Sequence, residues 1–253
     1  MSIALQVALV MVTILVVLLV IGAPIGVAIG MSSAVSMICM IPADVSFATS
    51  AQRIFAGSNS FSLIAIPFFI LAGNIMNNGG IATRLVNCAK VIAGRMPGAL
   101  AQSNVVANML FGAISGSGAA AAAAMGGTIG PLEEKEGYDK NYSTAVNVAS
   151  APVGMLIPPS NTMIVYSSVA GSVSIAALFM AGYIPGLLWG GAVMILAGIM
   201  AKKRGYQAEQ RVPVKVALKT FWQAIPSLLL IVIVIGGILG GIFTATEGSA
   251  IAV

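Results

Sequence analysis

No charged side chain occurs before Asp44. A helix crosses a hydrocarbon core of about 30 Å in about 20 apolar residues, so this opening stretch is long enough to cross twice. Gly22-Ala23-Pro24 divides it, which predicts two membrane helices, Ile3–Ile21 and Ile25–Ile41, joined by a very tight turn. A cleaved leader fits less well, because no basic segment precedes the run and the apolar pattern resumes at Ile25.

The same character continues to the end of the chain. Charged residues make up 8% of the 253, against about 25% in soluble domains, and the mean hydropathy is +1.02. Histidine is absent, which removes the commonest neutral-pH base and metal ligand. Cys39 and Cys88 stand alone without CxxC spacing and read as small buried apolar groups. With no paired acids in the apolar segments, a membrane-embedded enzyme lacks its nucleophile, base or metal ligands.

Further along, Asp44–Gly57 is mildly amphipathic with Arg53 on its polar side, and Ile81–Met96 spaces Arg84, Lys90 and Arg95 among apolar residues. Both predict helices lying in the membrane interface. Phe61–Met76 is a third span. Residues 98–130 are long enough to enter the membrane, yet Ser115-Gly116-Ser117-Gly118 interrupts them, predicting a re-entrant helical hairpin. The charged cluster Glu133, Glu134, Lys135, Glu136, Asp139 and Lys140 is expected in water. Residues 141–170 form a span broken at Gly154 and Pro158-Pro159, and residues 174–200 form the next. Residues 201–222 carry a net charge equal to the whole chain's +5. Without aromatic interleaving this is no nucleic-acid patch. Positive-inside bias places it in the cytoplasm, which puts the other basic segments inside and the N-terminus in the periplasm. Gln223–Ile242 is a further helix.

The expected class is therefore an all-α polytopic membrane protein. It has about seven helical elements, a re-entrant hairpin and two interfacial helices. Ala250-Ile251-Ala252-Val253 stops inside an apolar stretch, and Thr244–Ile251 weakly matches Gly22–Ile29. Residues 1–222 are accordingly expected to form the first of two inverted repeats, and residues 223–253 the start of a truncated second one.

Chemistry is expected at the two breaks. Irregular backbone survives at membrane depth only inside protein or around a cavity. Carbonyls freed from helical bonding can ligate sodium, and helix N-termini favour a carboxylate. Ser115, Ser117, Ser160, Asn161 and Thr162 add side-chain oxygens. The opposing reading is close packing of small residues with a plain Pro-Pro kink. The Ala119–Ala124 run reads as a packing face. Glu247, an acid in an apolar context, is either functional or merely at the membrane surface.

The segments IPFFILAG (Ile66–Gly73), FGAISGSGAA (Phe111–Ala120), GYDKNYSTAV (Gly137–Val146), IPPSNTMIVY (Ile157–Tyr166) and GIFTATEGSAIAV (Gly241–Val253) together resemble the large permease subunit of TRAP transporters. These are tripartite ATP-independent periplasmic transporters of the DctM type, and the likeness leans to the 2,3-diketo-L-gulonate branch. The resemblance covers the chain in motif order, as the N-terminal part of a longer family member. It implies a multi-pass protein of the bacterial inner membrane that takes up organic-acid anions by elevator-like movement, with sodium as the coupling ion and no other cofactor. It also implies a small four-helix membrane subunit and a periplasmic substrate-binding protein. Carried over, the sodium ligands would be Ser115, Gly116, Ser117, Gly118, Gly154, Pro158, Pro159, Ser160 and Asn161. The substrate contacts would be Ser115, Ser117, Asn161 and Thr162. Where family members often carry a polar residue after the hairpin's Ser-Gly-Ser, this chain has only alanine. The remaining alternative is a channel-like or structural membrane subunit without its own transport cycle.

Overall fold

The computed structural model describes residues 3–171, 173–208 and 213–253, all of them helix or connecting turn, with no strand among the described residues. Glu209 and Arg211 of the basic segment lie outside the described residues. The chain divides into two compact units, Met1–Ser60 and Phe61–Val253.

The first unit contains α1 (Ile3–Val20), α2 (Ile25–Ile38) and α3 (Ala43–Ser58). Between α1 and α2, Gly22 takes a left-handed φ of 88°, which glycine adopts without steric cost, and Pro24 stops the first helix by starting the second. The tight turn expected from Gly22-Ala23-Pro24 is present. α2 packs on α3 through small residues, with the buried Ser46 hydroxyl donating to the Ala34 carbonyl at 2.7 Å.

The second unit begins with a 3₁₀ turn (Phe61–Ile64) and α4 (Ala65–Asn78), followed by α5 (Ile81–Ala93). α5 buries Ala82, Leu85, Val86, Ala89 and Ala93, a stripe of helical period, and leaves Arg84 exposed. The amphipathic helix read from sequence is real, but its apolar face packs on protein, chiefly α6 (Ala99–Ser115) and α13 (Val214–Leu239). α6 is buried along most of its length. It turns at Gly116 into α7 (Gly118–Thr128), which packs back against it, and α8 (Gly130–Lys135) follows. This is the expected hairpin. Eleven residues of α7 span roughly 17 Å at 1.5 Å per residue, too short to cross a bilayer.

The broken span comprises α9 (Lys140–Ser150), α10 (Val153–Leu156) and α11 (Asn161–Ala170). Its two halves meet at a bend of 48°. The break lies at 157–160, containing a cis Pro158–Pro159 peptide. Gly154, expected at a break, instead sits inside α10. α12 (Ile175–Arg204) runs 30 residues. α13 begins at Val214, so Lys215 and Lys219 of the expected basic loop are helical. α14 (Ala245–Ala252) follows and packs on α4. α1, α12 and α13 are long and apolar enough to cross a membrane.

α12 shows how the second unit is held around the hairpin. Gly182, Gly186 and Gly190 are buried at a four-residue spacing, and side chains there would strike Leu156 and Met163, Ile157, and Met109 respectively. In a membrane, close backbone approach of this small-xxx-small kind supplies packing that lipid exclusion cannot. Hydrogen bonds across the interface reinforce it. Trp189 Nε1 donates to Ala149 O at 2.9 Å, Gln102 Nε2 to Met194 O at 2.8 Å, and Tyr142 Oη to Ala197 O at 2.8 Å.

One correction concerns the acidic cluster. Glu134, Lys135 and Glu136 are exposed as expected, but Glu133 is only 1% exposed. It is turned inward from α8 under the base of the hairpin. Glu247, by contrast, closes a capping box, its carboxylate accepting from Thr244 N at 2.7 Å and Thr244 Oγ1 at 2.9 Å. The structure gives it a helix-capping role.

Candidate functional site

The two interrupted segments meet. At the hairpin tip Gly116 adopts a left-handed φ of 61° and closes α6 by bonding to Gly112 O. Ser117 then caps α7, its hydroxyl accepting from Ala120 N at 3.3 Å. The other break is built alike: Ser160 caps α11, accepting from Met163 N at 3.4 Å while donating to Met155 O. Each break is therefore a helix ended by a turn and restarted by a serine cap, because serine satisfies an otherwise orphaned N–H at a helix start.

Asn161 joins them. Its backbone N–H donates to Gly116 O at 3.4 Å and its Nδ2 to Ser115 O at 3.3 Å. Its Oδ1 is buried and has no hydrogen-bond partner among the described residues. No backbone N–H among the described residues donates to the carbonyls of Ile157, Pro158 or Pro159. The junction thus gathers an amide oxygen, hydroxyls and freed carbonyls at the starts of α7 and α11. It offers a hard monovalent cation only oxygen ligands, as backbone carbonyls do where they replace an ion's hydration shell.

Glycines set how closely the segments approach. Gly112 and Gly154 lie back to back, so that a β-carbon on either would overlap the other's Cα. Gly118 packs on Met155 and the Ala151 carbonyl, and Gly73 of α4 on Ser115. Of the residues read from sequence, Ser115, Gly116, Ser117, Gly118, Pro158, Pro159, Ser160 and Asn161 are brought to one junction. Gly154 supports it through Gly112. Thr162 is exposed on the first turn of α11, and its hydroxyl makes no hydrogen bond among the described residues.

A cavity of about 380 Å³ opens beside the tip, lined by Asn74, Phe111, Ser115, Ser117 and the alanines 120, 123 and 124. Sequence reading missed Asn74, although an amide within the apolar α4, one turn ahead of its Asn77-Asn78 end, was a visible signal. The alanine run is only partly a packing face. Ala121 is buried, whereas Ala119, Ala120 and Ala123 are exposed.

At the hairpin's other end the chain is tied to α12. Asp139 caps α9 by accepting from Tyr142 N at 2.9 Å and pairs with Arg204 at 3.1 Å. The Tyr142 N–H, with Arg204 beside it, holds the Asp139 carboxyl below the usual carboxylate range. Tyr206 stacks on Tyr138 with ring centroids 4.3 Å apart, and its hydroxyl accepts from Asp139 N at 2.8 Å.

The sequence pattern of the DctM component of tripartite ATP-independent periplasmic transporters matches residues 12–253. The chain is 54% identical over 222 residues to the uncharacterized protein YgiK of Salmonella typhimurium, covering 88% of this chain and 51% of that one. It is 42% identical over 211 residues to the C4-dicarboxylate TRAP transporter large permease protein DctM of Vibrio cholerae, covering 83% and 46%. Against the 2,3-diketo-L-gulonate TRAP transporter large permease protein YiaN of Escherichia coli it is 36% identical over 202 residues, covering 80% and 47%. The chain spans about half the length of these curated relatives. The family is one of transporter permeases and not of enzymes. With all but its first eleven residues matched, this multi-pass, all-helical chain belongs to the DctM family of TRAP transporter permease components.

Proposed function

We propose that this chain supplies the first half of the transport machinery of a sodium-driven large permease subunit in the bacterial inner membrane. The substrates are organic-acid anions, C4-dicarboxylates or keto and sugar acids, delivered by a periplasmic binding protein. A small four-helix permease subunit completes the membrane part. The N-terminus faces the periplasm and the 201–222 segment the cytoplasm, residues 1–222 forming the first inverted repeat.

The observation that carries this reading is the junction at Asn161, where a buried amide oxygen without a partner sits between two serine-capped breaks. Leaving such an acceptor dry and unpaired costs about 1–3 kcal/mol, so a ligand there gains what the fold lacks. A sodium ion supplies positive charge at the junction. Asn161 Oδ1, the Ser115 and Ser117 oxygens and the Pro158–Pro159 carbonyls are the ligands available to it. The N-termini of α7 and α11 favour an anion alongside, and Asn74, Ser115 and Ser117 bind and orient its carboxylate in the neighbouring cavity. Thr162 is a further candidate contact to substrate from α11. Ion and anion then favour the same closed arrangement of hairpin and broken helix, which is the coupling a symporter needs.

The test is uptake of radiolabelled dicarboxylates and sugar acids into proteoliposomes holding the permease at the length of its relatives, with its small subunit and binding protein. Uptake driven by an inward sodium gradient, lost in Asn161→Ala, supports the reading. Sodium-independent leak, or no uptake, overturns it in favour of a channel-like or structural subunit, and sodium-driven uptake unchanged by that substitution overturns the Asn161 site.

A further inference from the structure

A second polar cavity, of about 340 Å³, lies at the base of the hairpin. Asn104, Glu133, Glu134, Lys140, Ser143 and Asn147 are among its lining. Three buried side-chain atoms of this lining close no hydrogen bond of full geometry among the described residues: Glu133 Oε1, Asn104 Nδ2 and Ser143 Oγ. Glu133 and Asn104 are each 1% exposed, and Ser143 is 8% exposed. Burying a carboxylate is costly; the Ser143 hydroxyl and the Asn104 amide face Glu133 and offset part of that cost, but they do not close full hydrogen bonds on it. The cavity that these residues line has room for a cation to balance the carboxylate.

We infer that this cavity is a binding site for a hydrated monovalent cation, with Glu133 as its anionic ligand. The ion takes the carboxylate and the Ser143 hydroxyl oxygen, and its hydration waters accept from Asn104 Nδ2. Charge favours this occupant, since Glu133 and Glu134 outnumber Lys140 among the lining residues. A divalent ion is poorly matched, because no group of three or more His, Cys, Asp or Glu able to hold a metal occurs among the described residues. The surroundings are rigid. Asn108 Nδ2 lies within hydrogen-bonding distance of Asn104 Oδ1 (2.9 Å), Asn147 Oδ1 (3.0 Å) and Ser150 Oγ (2.8 Å) and shares its two hydrogens among them. Asn147 Nδ2 in turn donates to Ala122 O at 2.9 Å. This buried amide row joins α6, α7 and α9, so an ion at Glu133 braces the hairpin from its base. The cavity shares no lining residue with the Asn161 junction and does not depend on the transport reading.

The test is thermal unfolding of the purified full-length permease at mildly alkaline pH, in sodium, potassium or choline chloride. Wild type, Glu133→Gln and Asn161→Ala are compared. A ligand that binds only the folded state raises the unfolding temperature with concentration. The expected result is a rise in sodium or potassium over choline that Asn161→Ala retains in part and Glu133→Gln loses in part. A response unchanged by Glu133→Gln overturns the inference, as does a wild type indifferent to both alkali ions, which would leave the cavity filled by water alone. If Asn161→Ala keeps the full response while Glu133→Gln reduces it, this site stands and the junction reading falls. Independently of how well Glu133→Gln folds, Thr144→Cys in a Cys39→Ser background places a thiol at the cavity mouth. Slower maleimide labelling in sodium than in choline is expected, and equal rates in both count against the site.

Discussion

At the residue scale, the breaks were legible because Ser-Gly-Ser-Gly and Pro-Pro-Ser-Asn cannot continue a helix. What they do beyond that was not. Gly154 read as a break in the chain, yet it lies in α10 against Gly112, a pairing of residues 42 positions apart that no local pattern announces. Gly112→Ala or Gly154→Ala would force the two backbones apart. Overpacking of this kind costs about 1–3 kcal/mol, and thermal unfolding in detergent should fall accordingly. Gly127→Ala is the matched control, since a β-carbon there meets nothing within 4 Å.

Glu133 was hidden for a related reason. Sequence placed it in a charged run, and only the fold of α8 turns it inward. Burial raises its carboxyl pKa, partly offset by the Ser143 hydroxyl and the Asn104 amide. Its ionisation therefore opposes folding. Its contribution is fully present below the unfolded value, about 4.3, and is lost as pH rises through the raised folded value. Asp139 has the opposite sign: its lowered pKa stabilises above the unfolded value, about 3.9, and that support is lost as pH falls through the folded one. In unfolding temperatures measured against pH without alkali cations, Glu133→Gln should remove the decline on the alkaline side. Asp139→Asn should instead flatten the acid side.

At the element scale, the hairpin and the broken span were readable from length and composition, since each half is too short to cross a bilayer alone. The amphipathic period of α5 was equally plain, but period alone does not say whether an apolar face meets lipid or protein. α12 reads as an ordinary span, yet its Gly182, Gly186 and Gly190 face is the surface on which α10, α11 and α6 rest. Gly182→Val should displace the Leu156 carbonyl and Met163 and so loosen the start of α11. The expected outcome is a drop of about 1–3 kcal/mol in stability, with faster hydrogen exchange at 157–163. Gly191→Val, where a β-carbon meets nothing within 4 Å, should leave both nearly unchanged.

At the scale of the whole molecule, composition alone determined that the chain belongs in a bilayer, and the order of its motifs identified its family. The placement of charge makes a further statement that can be checked. With the 201–222 segment cytoplasmic, a cysteine at Lys203 should react with an impermeant maleimide only from the cytoplasmic side, and one at Asp44 only from the periplasm. Labelling of both from one side would refute that orientation.

The hairpin tip and the start of α11 are proposed to hold a sodium ion together through Asn161. Equilibrium binding of radioactive sodium to the purified full-length permease in a Glu133→Gln background checks this, with and without Asn161→Ala. Saturable binding is expected with Asn161 in place, weakened by about tenfold or more by Asn161→Ala, as loss of one ligand worth about 1.4 kcal/mol or more would give. Binding of equal strength in both proteins would contradict it.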